Sequence, residues 1–219
     1  MNRFSFLTFD CYGTLIDWRT GIENALTEAL GALPTRGEEL AALYANAEKE
    51  QEISYKKYKD VLSDTAVALA HRLGKTLSRK NALTFAASVP DWPAFPDAPP
   101  ALRRLGESGF KRFILSNVDT DTLQRTVARN GLEIDGSVTA EDVRSYKPAH
   151  EHWEEFMRRT GARKGEILHV AQSVYHDIIP TQELGICSAW VNRYGEPFPR
   201  GIAPEYVVDS LGSLVDSLS

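Results

Sequence analysis

Residues 4–15 read FSFLTFDCYGTL, a largely apolar run that leads into an aspartate and then into a short turn. The run is brief, rich in Phe and closed by Gly13, so it is predicted to be a central strand of an α/β sheet rather than a helix. Asp10 then lies at the carboxyl end of this strand, where such sheets bind ligands. Because an unpaired buried carboxylate is costly, Asp10 either caps the turn or faces a cation in a functional site.

The composition of the 219 residues bounds the class of protein. With 42% hydrophobic and 25% charged residues, the chain suits one sizeable domain or a core with a smaller insertion. The net charge of −5 gives no basic surface for nucleic acid or for an anionic membrane. Arg3 leads straight into the first strand, without a signal sequence or a membrane span. We therefore expect a cytoplasmic protein with a small-molecule partner, without nucleic acid or membrane partners, and a homodimer is left open.

Cys11 and Cys187 are the two cysteines of the chain. They are too few and too far apart in sequence for a disulfide framework. Both fall in predicted strands or at strand ends, where a free cysteine behaves as a small hydrophobic residue. We expect a structural role for both.

From about residue 18 to residue 89 the sequence has apolar residues at helical spacing and almost no strand pattern. Breaks at Pro34–Gly37 and at Gly74 divide this block, and five prolines between Pro90 and Pro100 close it. A helical block between two parts of an α/β core is typical of an insertion. We predict an all-helical cap over residues 16–95, with no strand between residues 20 and 88.

From Asp97 onward helix and strand patterns alternate. The predicted elements are a helix at 101–108, a strand at 112–116, helices at 120–130 and 152–160, a strand at 167–171, a helix at 178–184, strands at 186–191 and 206–208, and a final helix. Alternation of this kind implies right-handed crossovers and a parallel sheet covered on both faces. The predicted fold class is α/β, a doubly wound parallel sheet built from residues 1–15 and 96–219.

Polar residues follow the predicted strands of this second half. Ser116 and Asn117 could donate hydrogen bonds to an anion, although such a pair often only caps the next helix. Lys147 precedes a proline and could pair with Asp10, although a single lysine is more often a solvated surface charge. Gln172 and Ser173 follow the strand at 167–171, and Asp177 comes shortly after them.

Taken in order, Asp10, Ser116, Lys147 and Asp177 resemble the four motifs of the haloacid dehalogenase (HAD) superfamily, and the helical insertion lies where that family has its cap. The resemblance covers essentially the whole chain. It implies a HAD-like Rossmannoid core with an inserted helical cap, and a hydrolase whose strand-end aspartate forms an ester with the substrate. The residues that it assigns are Asp10, Thr14, Lys147 and Asp177 as catalytic groups, and Tyr12, Ser116, Asn117, Ser173 and Trp153 as substrate contacts.

The residue two positions after Asp10 separates the branches of the superfamily. Its phosphatases have a second aspartate there as a proton donor, whereas this chain has Tyr12, in a motif Asp-x-Tyr-Gly-Thr-Leu that resembles L-2-haloacid dehalogenases. Halide leaves without a proton, so the acid is dispensable. The phosphatases also bind Mg²⁺ through a Gly-Asp pair, which here is Ala171-Gln172. The resemblance therefore implies no cofactor; Mg²⁺, held by Asp10 and Asp177, is expected only in a phosphatase.

The cap departs from the dehalogenase pattern in one respect. Residues Pro34–Glu38 resemble the stretch before a catalytic arginine of that family, but next to Tyr44 the chain has Ala45, and Arg36 belongs to the preceding stretch. Without that arginine, the carboxylate of a small anionic substrate loses its best partner. The substrate is therefore open beyond a simple haloacid.

Three functions follow from these residues. The first is a metal-independent, dehalogenase-like hydrolase with an aspartyl ester, which Tyr12 favours. The second is a phosphatase of a small phosphomonoester with atypical acid and metal positions. The third is a catalytically weak binding protein of the same fold, which Ala45 favours. A metal cluster of His150, His152 and His176 is disfavoured, because residues two apart on a helix point to different faces.

Overall fold

The computed structural model describes residues 3–218, and its centre is a six-stranded parallel sheet. The strands are β1 Phe6–Phe9, β2 Lys111–Ser116, β3 Gly136–Thr139, β4 Ile167–Ala171, β5 Cys187–Val191 and β6 Tyr206–Val208. Their order is β3-β2-β1-β4-β5-β6, and every neighbouring pair is parallel. β1 lies between β2 and β4, so that Phe9 pairs with Ile114 on one side and with Val170 on the other. The predicted fold class is confirmed.

Helices cover both faces of the sheet. On one face, α5 Ala98–Glu107 and α10 Leu211–Ser217 bury Leu102 and Leu214 in the same apolar cluster as Phe9. On the other face, α8 Glu151–Thr160 buries Phe156 in a second cluster with Leu115. The remaining helices of this part are α6 Thr120–Arg129, α7 Ala140–Val143 and α9 Ile179–Leu184. Because both faces are apolar and covered, polar groups of the sheet collect at the strand ends.

Between β1 and α5 the chain is helical. This part contains α1 Trp18–Leu30, α2 Gly37–Lys49, α3 Tyr58–Arg72, α4 Arg79–Ser88 and a 3₁₀ turn at Val89–Asp91. No strand occurs between residues 18 and 91, all of which lie in the described part of the chain, so the helical insertion is confirmed.

The two segments that join the insertion to the sheet run side by side. The Phe95 N–H donates to the Leu15 carbonyl at 2.9 Å, and the Asp17 N–H donates to the Pro93 carbonyl at 2.8 Å. The predicted boundaries at 15/16 and 95/96 fall in these segments, and the division of the chain into two domains remains a prediction.

The buried Asp119 fastens the insertion to the end of β2. Its two carboxylate oxygens accept the backbone N–H groups of Tyr58 at 3.0 Å and Lys59 at 2.9 Å. These N–H groups belong to the first turn of α3, which has no partners for them within the helix. The connection from α2 to α3 is thereby held against the edge of the sheet where the strands end.

Several predicted boundaries differ from the structure. β3 at Gly136–Thr139 was not predicted, because only one large apolar side chain marks it. α5 begins at Ala98 rather than at 101, since Pro99 and Pro100 fit the first turn, where no N–H is needed. A π-helical turn, Val174–Ile178, precedes α9, and β5 begins at Cys187 rather than at 186. None of these differences moves a residue of the predicted site.

Two expectations from composition can be compared with the structure. Cys11 and Cys187 are free thiols, as predicted. Within residues 3–218, no helix has both the length and the apolar character that crossing a membrane requires.

Candidate active site

Asp10 follows β1 and lines a cavity at the carboxyl ends of the central strands. Its backbone N–H donates to the Val170 carbonyl at 3.0 Å, so strand pairing extends to the aspartate itself. One carboxylate oxygen accepts a hydrogen bond from Thr14 Oγ1 at 3.0 Å, and the other lies 2.9 Å from Lys147 Nζ. The Thr14 hydroxyl also accepts the Gln172 N–H at 3.0 Å, which fixes its orientation. Both oxygens of Asp10 are therefore held in place by the fold.

The turn after Asp10 requires glycine at position 13. Gly13 has a φ of 104°, and a Cβ there would lie 3.1 Å from Trp18 Nε1. The turn closes because the N–H groups of Leu15 and Ile16 donate to the Cys11 carbonyl at 2.8 and 2.9 Å. Burial raises the pKa of the Cys11 thiol well above its usual value, so Cys11 is an inert part of this turn.

Lys147 lies between two carboxylates, with a side chain that is 2% exposed. Its Nζ is 2.9 Å from Asp10 Oδ1, 2.6 Å from Asp177 Oδ1 and 3.0 Å from the Leu115 carbonyl. These three acceptors use all three donors of the ammonium. The predicted contact between Lys147 and Asp10 is confirmed, and Lys147 has no donor left for another ligand.

The three charges of this cluster affect one another. Burial raises the pKa of Asp10 and Asp177 acts in the same direction, while Lys147 and Thr14 oppose the rise, and the net pKa is above the usual value. Burial would also raise the pKa of Asp177, but Lys147 and a hydrogen bond from His169 outweigh it and hold that pKa well below its usual range. Asp177 is thus a permanent carboxylate, whereas Asp10 becomes protonated more readily as the pH falls.

His169 supports Asp177 from beneath the site, in the interior of β4. Its Nε2 lies 3.0 Å from Asp177 Oδ1, and its Nδ1 lies 2.8 Å from Thr8 Oγ1. Burial lowers the pKa of His169, so a neutral ring donates to Asp177 and accepts from Thr8. Asp177 Oδ2 is buried and has no hydrogen-bond partner among the described residues. One carboxylate oxygen is therefore fixed, and the other is free to accept.

The cavity has a volume of about 220 Å³. Its lining consists of Asp10, Tyr12, Trp18, Tyr44, Ala45, Glu48, Glu52, Tyr58, Trp92, Ser116, Asn117, Val118, Lys147, Gln172, Ser173, His176 and Asp177. The insertion provides one wall, with aromatic rings and two glutamates, and the strand ends provide the other. A cavity of this size suits a small organic molecule.

Tyr12 lines the cavity with its ring, but its hydroxyl is engaged elsewhere. The hydroxyl lies 2.8 Å from Thr126 Oγ1, whose own proton goes to the Thr122 carbonyl, so Tyr12 donates to Thr126. The ring packs edge-on against Trp92, and burial raises the pKa of the phenol well above its usual value. Tyr12 therefore has no proton available for a leaving group in the cavity.

Ser116, Asn117 and Ser173, the predicted substrate contacts, line the cavity. The Asn117 amide also accepts the N–H of Lys147 at 2.7 Å and donates to its carbonyl at 3.0 Å, so it fixes the backbone of that lysine. The Ser173 hydroxyl accepts the His176 N–H at 3.1 Å and caps the following turn. Both residues thus have a structural use besides any contact with substrate.

Residues 6–185 match the family of haloacid dehalogenase-like hydrolases. This chain belongs to that family. Over 225 residues it is 26% identical to an (S)-2-haloacid dehalogenase of Pseudomonas sp. (strain YL). The match covers 99% of this chain and 95% of that protein. This HAD-like hydrolase also resembles a solved L-2-haloacid dehalogenase, with a TM-score of 0.86 at 25% identity over 98% of both chains.

A further solved structure is similar over 97% of both chains. It is an L-2-haloacid dehalogenase of Xanthobacter autotrophicus with chloropropionic acid covalently bound, and it has a TM-score of 0.85 at 22% identity. Similarity at this level shows a shared fold. The helical insertion and the parallel sheet of this chain are thus those of a HAD-like hydrolase.

Trp153, which is predicted to contact substrate, lies away from the cavity. Trp153 lies on the face of α8 that packs under the sheet; it is fully buried with Phe156 and does not line the cavity. Its ring meets His169 edge-on at 5.2 Å between centroids, so it touches the site only through the residue that supports Asp177. Thr14 is likewise buried outside the lining and can act only through Asp10.

The expected absence of the cap arginine is visible in the cavity wall. Ala45 lines the cavity in the predicted place, and no arginine is among the described lining residues. Arg36, at the start of α2, is exposed and lies 3.4 Å from Glu23. Glu48 and Glu52 line the cavity instead, and sequence reasoning missed both. The signal for Glu48 was its spacing of three from Ala45 and four from Tyr44 on one helix.

The oxygen atoms near Asp10 do not fit a magnesium site like that of the phosphatases. The candidate ligands Asp10 and Asp177 each give one oxygen to Lys147, and the position of the family's third ligand is Gln172, whose amide donates to Glu196 at 3.1 Å. Mg²⁺ prefers several carboxylate or carbonyl oxygens around one point. Within residues 3–218, no group of three or more His, Cys, Asp or Glu side chains could hold a metal ion.

The three histidines considered as a cluster serve separate purposes. His150 lies near the surface, 2.9 Å from Glu183. His152 is buried and its Nε2 donates to the Ser116 carbonyl at 3.2 Å, while burial lowers its pKa to about 3. His176 lines the cavity, and burial lowers its pKa to about 4, so its ring is neutral at pH 7.

Proposed function

We propose that this HAD-like hydrolase breaks a carbon–halogen bond of a small molecule through an ester of Asp10 and without a metal ion. The observation that carries the proposal is the site around Asp10, which holds a nucleophilic carboxylate with Lys147 and Thr14 but offers no proton donor at Tyr12. Such a site suits a leaving group that departs as an anion. Relatives named as 2-haloacid dehalogenases support the same reaction type.

In the first step, an oxygen of Asp10 attacks the carbon that carries the halogen. The new oxygen–carbon bond forms as the carbon–halogen bond breaks, and the halide leaves with the bonding electrons. The product of this step is an ester, in which Asp10 has lost its negative charge. Lys147 then remains paired with Asp177, so the cluster keeps a balanced charge in the intermediate.

In the second step, water attacks the carboxyl carbon of Asp10. We assign the orientation of this water to Asp177, whose buried Oδ2 has no hydrogen-bond partner among the described residues while its other oxygen is held by Lys147 and His169. The bond between the carboxyl carbon and the ester oxygen, which came from Asp10, breaks. One proton of the water goes to that oxygen, so that the alcohol is released, and the other proton is released to solvent. Asp10 is regenerated with one oxygen from water.

The experiment is a panel of 2-chloropropionate, chloroacetate, 2-chloropropionamide and p-nitrophenyl phosphate, each with EDTA or with added Mg²⁺. We expect chloride release from at least one of the organochlorides, unchanged by EDTA and abolished in Asp10→Asn. Asn is nearly isosteric but is a poor nucleophile. Magnesium-dependent phosphate release, without chloride release, would refute the proposal in favour of a phosphatase.

A second candidate function is a binding protein without turnover. The specific observation that favours it is the wall at Ala45, where the dehalogenase pattern has a catalytic arginine. In that case the cavity would bind small ligands, no member of the panel would react, and Asp10→Asn would bind them as well as the wild type does.

A further inference from the structure

Glu48 and Glu52 are held in the wall of the cavity that contains Asp10. Glu48 lies in the last turn of α2, and Glu52 lies in the connection between α2 and α3. This connection is fixed on the core, since the Tyr146 hydroxyl donates to the Lys56 carbonyl at 2.5 Å. The position of both glutamates relative to the strand ends is therefore set by the fold.

No free cation offsets these two acids. Lys147 is the one permanently cationic side chain in the described lining, and all three of its donors are used. The lysines of the connection point elsewhere, because Lys56 pairs with Asp64 at 2.7 Å and Lys57 pairs with Glu141 at 2.9 Å. A carboxylate that entered the cavity would meet acidic groups and no available positive partner.

Two phenols hold Glu48 in place. The Tyr44 hydroxyl at 3.0 Å and the Tyr58 hydroxyl at 2.6 Å both donate to Glu48 Oε1. Burial raises the pKa of Glu48 above its usual value, and the hydrogen bonds from Tyr58 and Tyr44 oppose that rise. Glu48 Oε2 has no partner among the described residues, and Glu52 has no hydrogen bond or ion pair there. These oxygens remain for a ligand.

Each of the two acids also affects the protonation of the other. Burial, reinforced by the nearby charge of Glu48, raises the pKa of Glu52 to about 9. Because both pKa values are raised, the pair shares a proton at pH 7, so the wall offers a carboxyl O–H donor together with carboxyl oxygen acceptors. A primary amide has the complementary N–H donors and carbonyl acceptor.

We propose that the group beside the reacting carbon of the substrate is a hydrogen-bond donor without negative charge, with a primary amide as the best match, and that Glu48 and Glu52 select it over a carboxylate. This inference rests on the proposed function for the reaction itself. It departs from the sequence-based expectation of a small anionic substrate, because Glu48 and Glu52 were not known to line the cavity.

The rest of the cavity fits the same class of molecule. The rings of Trp18, Tyr44 and Trp92 line it and provide apolar contacts for the carbon skeleton of a small molecule. An amide carbonyl activates the adjacent carbon toward displacement without needing a cation of its own. The bond changes are those of the proposed reaction: the bond from Asp10 to carbon forms, the carbon–halogen bond breaks, and halide leaves with the electron pair.

The test compares two nearly isosteric probes, racemic 2-chloropropionamide and 2-chloropropionate, by chloride release. A parallel arm measures binding of lactamide and lactate by calorimetry, which does not depend on turnover. We expect kcat/KM to be at least about tenfold higher for the amide, and lactamide to bind tighter than lactate, since like charges repel at close range.

Substitutions in the cavity wall test whether Glu48 causes the preference for the amide over the carboxylate. Glu48→Gln keeps an oxygen that can accept from both tyrosines but removes the charge, so we expect the preference for the amide to shrink about tenfold or more. Adding Ala45→Arg to this variant should reverse the preference toward the carboxylate. The matched control is Glu50→Gln, one of the neighbouring glutamates, which lies outside the cavity and pairs with Arg72 at 2.5 Å; it should leave the preference unchanged.

The outcomes distinguish this inference from the proposed function. Faster chloride release from 2-chloropropionate, or equal rates, would overturn the inference and leave the proposed function standing. Selective binding of lactamide without chloride release from either probe would support the inference and refute the proposed function. Binding of neither ligand, or a preference that Glu48→Gln does not change, would overturn the inference.

Discussion

Replacing Lys147 with methionine tests the cluster beneath the cavity, because it removes the charge while keeping a flexible apolar side chain. The side chain is 2% exposed and lies 2.9 Å from Asp10 and 2.6 Å from Asp177. Removing one partner of a buried ion pair leaves an uncompensated charge and costs about 3–5 kcal/mol. We expect the free energy of unfolding at pH 7.5 to fall by this amount, which is a large part of a total of about 5–15 kcal/mol.

The pH dependence of this loss has a definite sign. In the wild type the pKa of Asp177 is below its unfolded value, so its stabilising contribution is present above pH 4 and is lost as the pH falls. In Lys147→Met both carboxyls have folded pKa values above the unfolded value, so they destabilise the protein at neutral pH and cease to do so when both states are protonated. The difference between the two proteins should therefore shrink from pH 7.5 toward about pH 4.

The assay is urea unfolding of wild type and Lys147→Met at a series of pH values, with Lys164→Met as the matched control. Lys164 is exposed and its side chain has no partner among the described residues, so its replacement should change stability by less than about 0.5 kcal/mol. Groups that titrate in both proteins cancel in the difference. A loss below about 1 kcal/mol at pH 7.5, or one that is constant with pH, would refute this account of the cluster.

Other predictions follow from the same geometry. The acid limb of kcat/KM should have an apparent pKa above about 4, because burial raises the pKa of Asp10; a pH–rate profile whose limb lies at or below 4 would contradict this. Thr14→Val should lower kcat about tenfold with little change in KM, since it frees one oxygen of Asp10, whereas Thr14→Ser should retain most of kcat. The pKa of His152 in the folded protein, about 3, lies below its value in the unfolded chain, so this residue should lower the free energy of unfolding by about 1.4 kcal/mol per pH unit as the pH falls from 6.5 to 3. His152→Gln keeps a donor for the Ser116 carbonyl and should make this pH dependence less steep. Acid titrations followed by circular dichroism measure the difference.

The strand-end residues could be placed from sequence because parallel strands impose a shared edge. Asp10 follows β1, and the chain segments after β2 and β4 lie on either side of it, so polar residues after those strands had to converge. Lys147 was found through the family resemblance, and the physical need of a buried carboxylate for a cation gave the same contact. The helical insertion was predictable from the helical spacing of its apolar residues alone.

The other site residues could not be placed from sequence, because residue spacing does not show which way a side chain faces in the folded protein. Trp153 lies six residues after Lys147 in the place of a family contact, but the rotation of α8 turns it under the sheet. His169 lies inside β4, where every residue is buried. The pattern of polar and apolar residues therefore could not show that its side chain hydrogen-bonds to Asp177. Glu52 lies in an irregular connection, whose path over the cavity is set by the contacts of Asp119 and Tyr146.

The covalent ester at Asp10 is tested most directly by a single turnover in H₂¹⁸O, with enzyme in excess over whichever of 2-chloropropionamide and 2-chloropropionate releases chloride faster. Because water attacks the carboxyl carbon of Asp10, we predict that the peptide containing Asp10 gains one labelled oxygen, while the first product carries unlabelled oxygen from the enzyme. Label that enters the product directly, with the Asp10 peptide unlabelled, would show that water attacks the substrate itself and would contradict the ester mechanism.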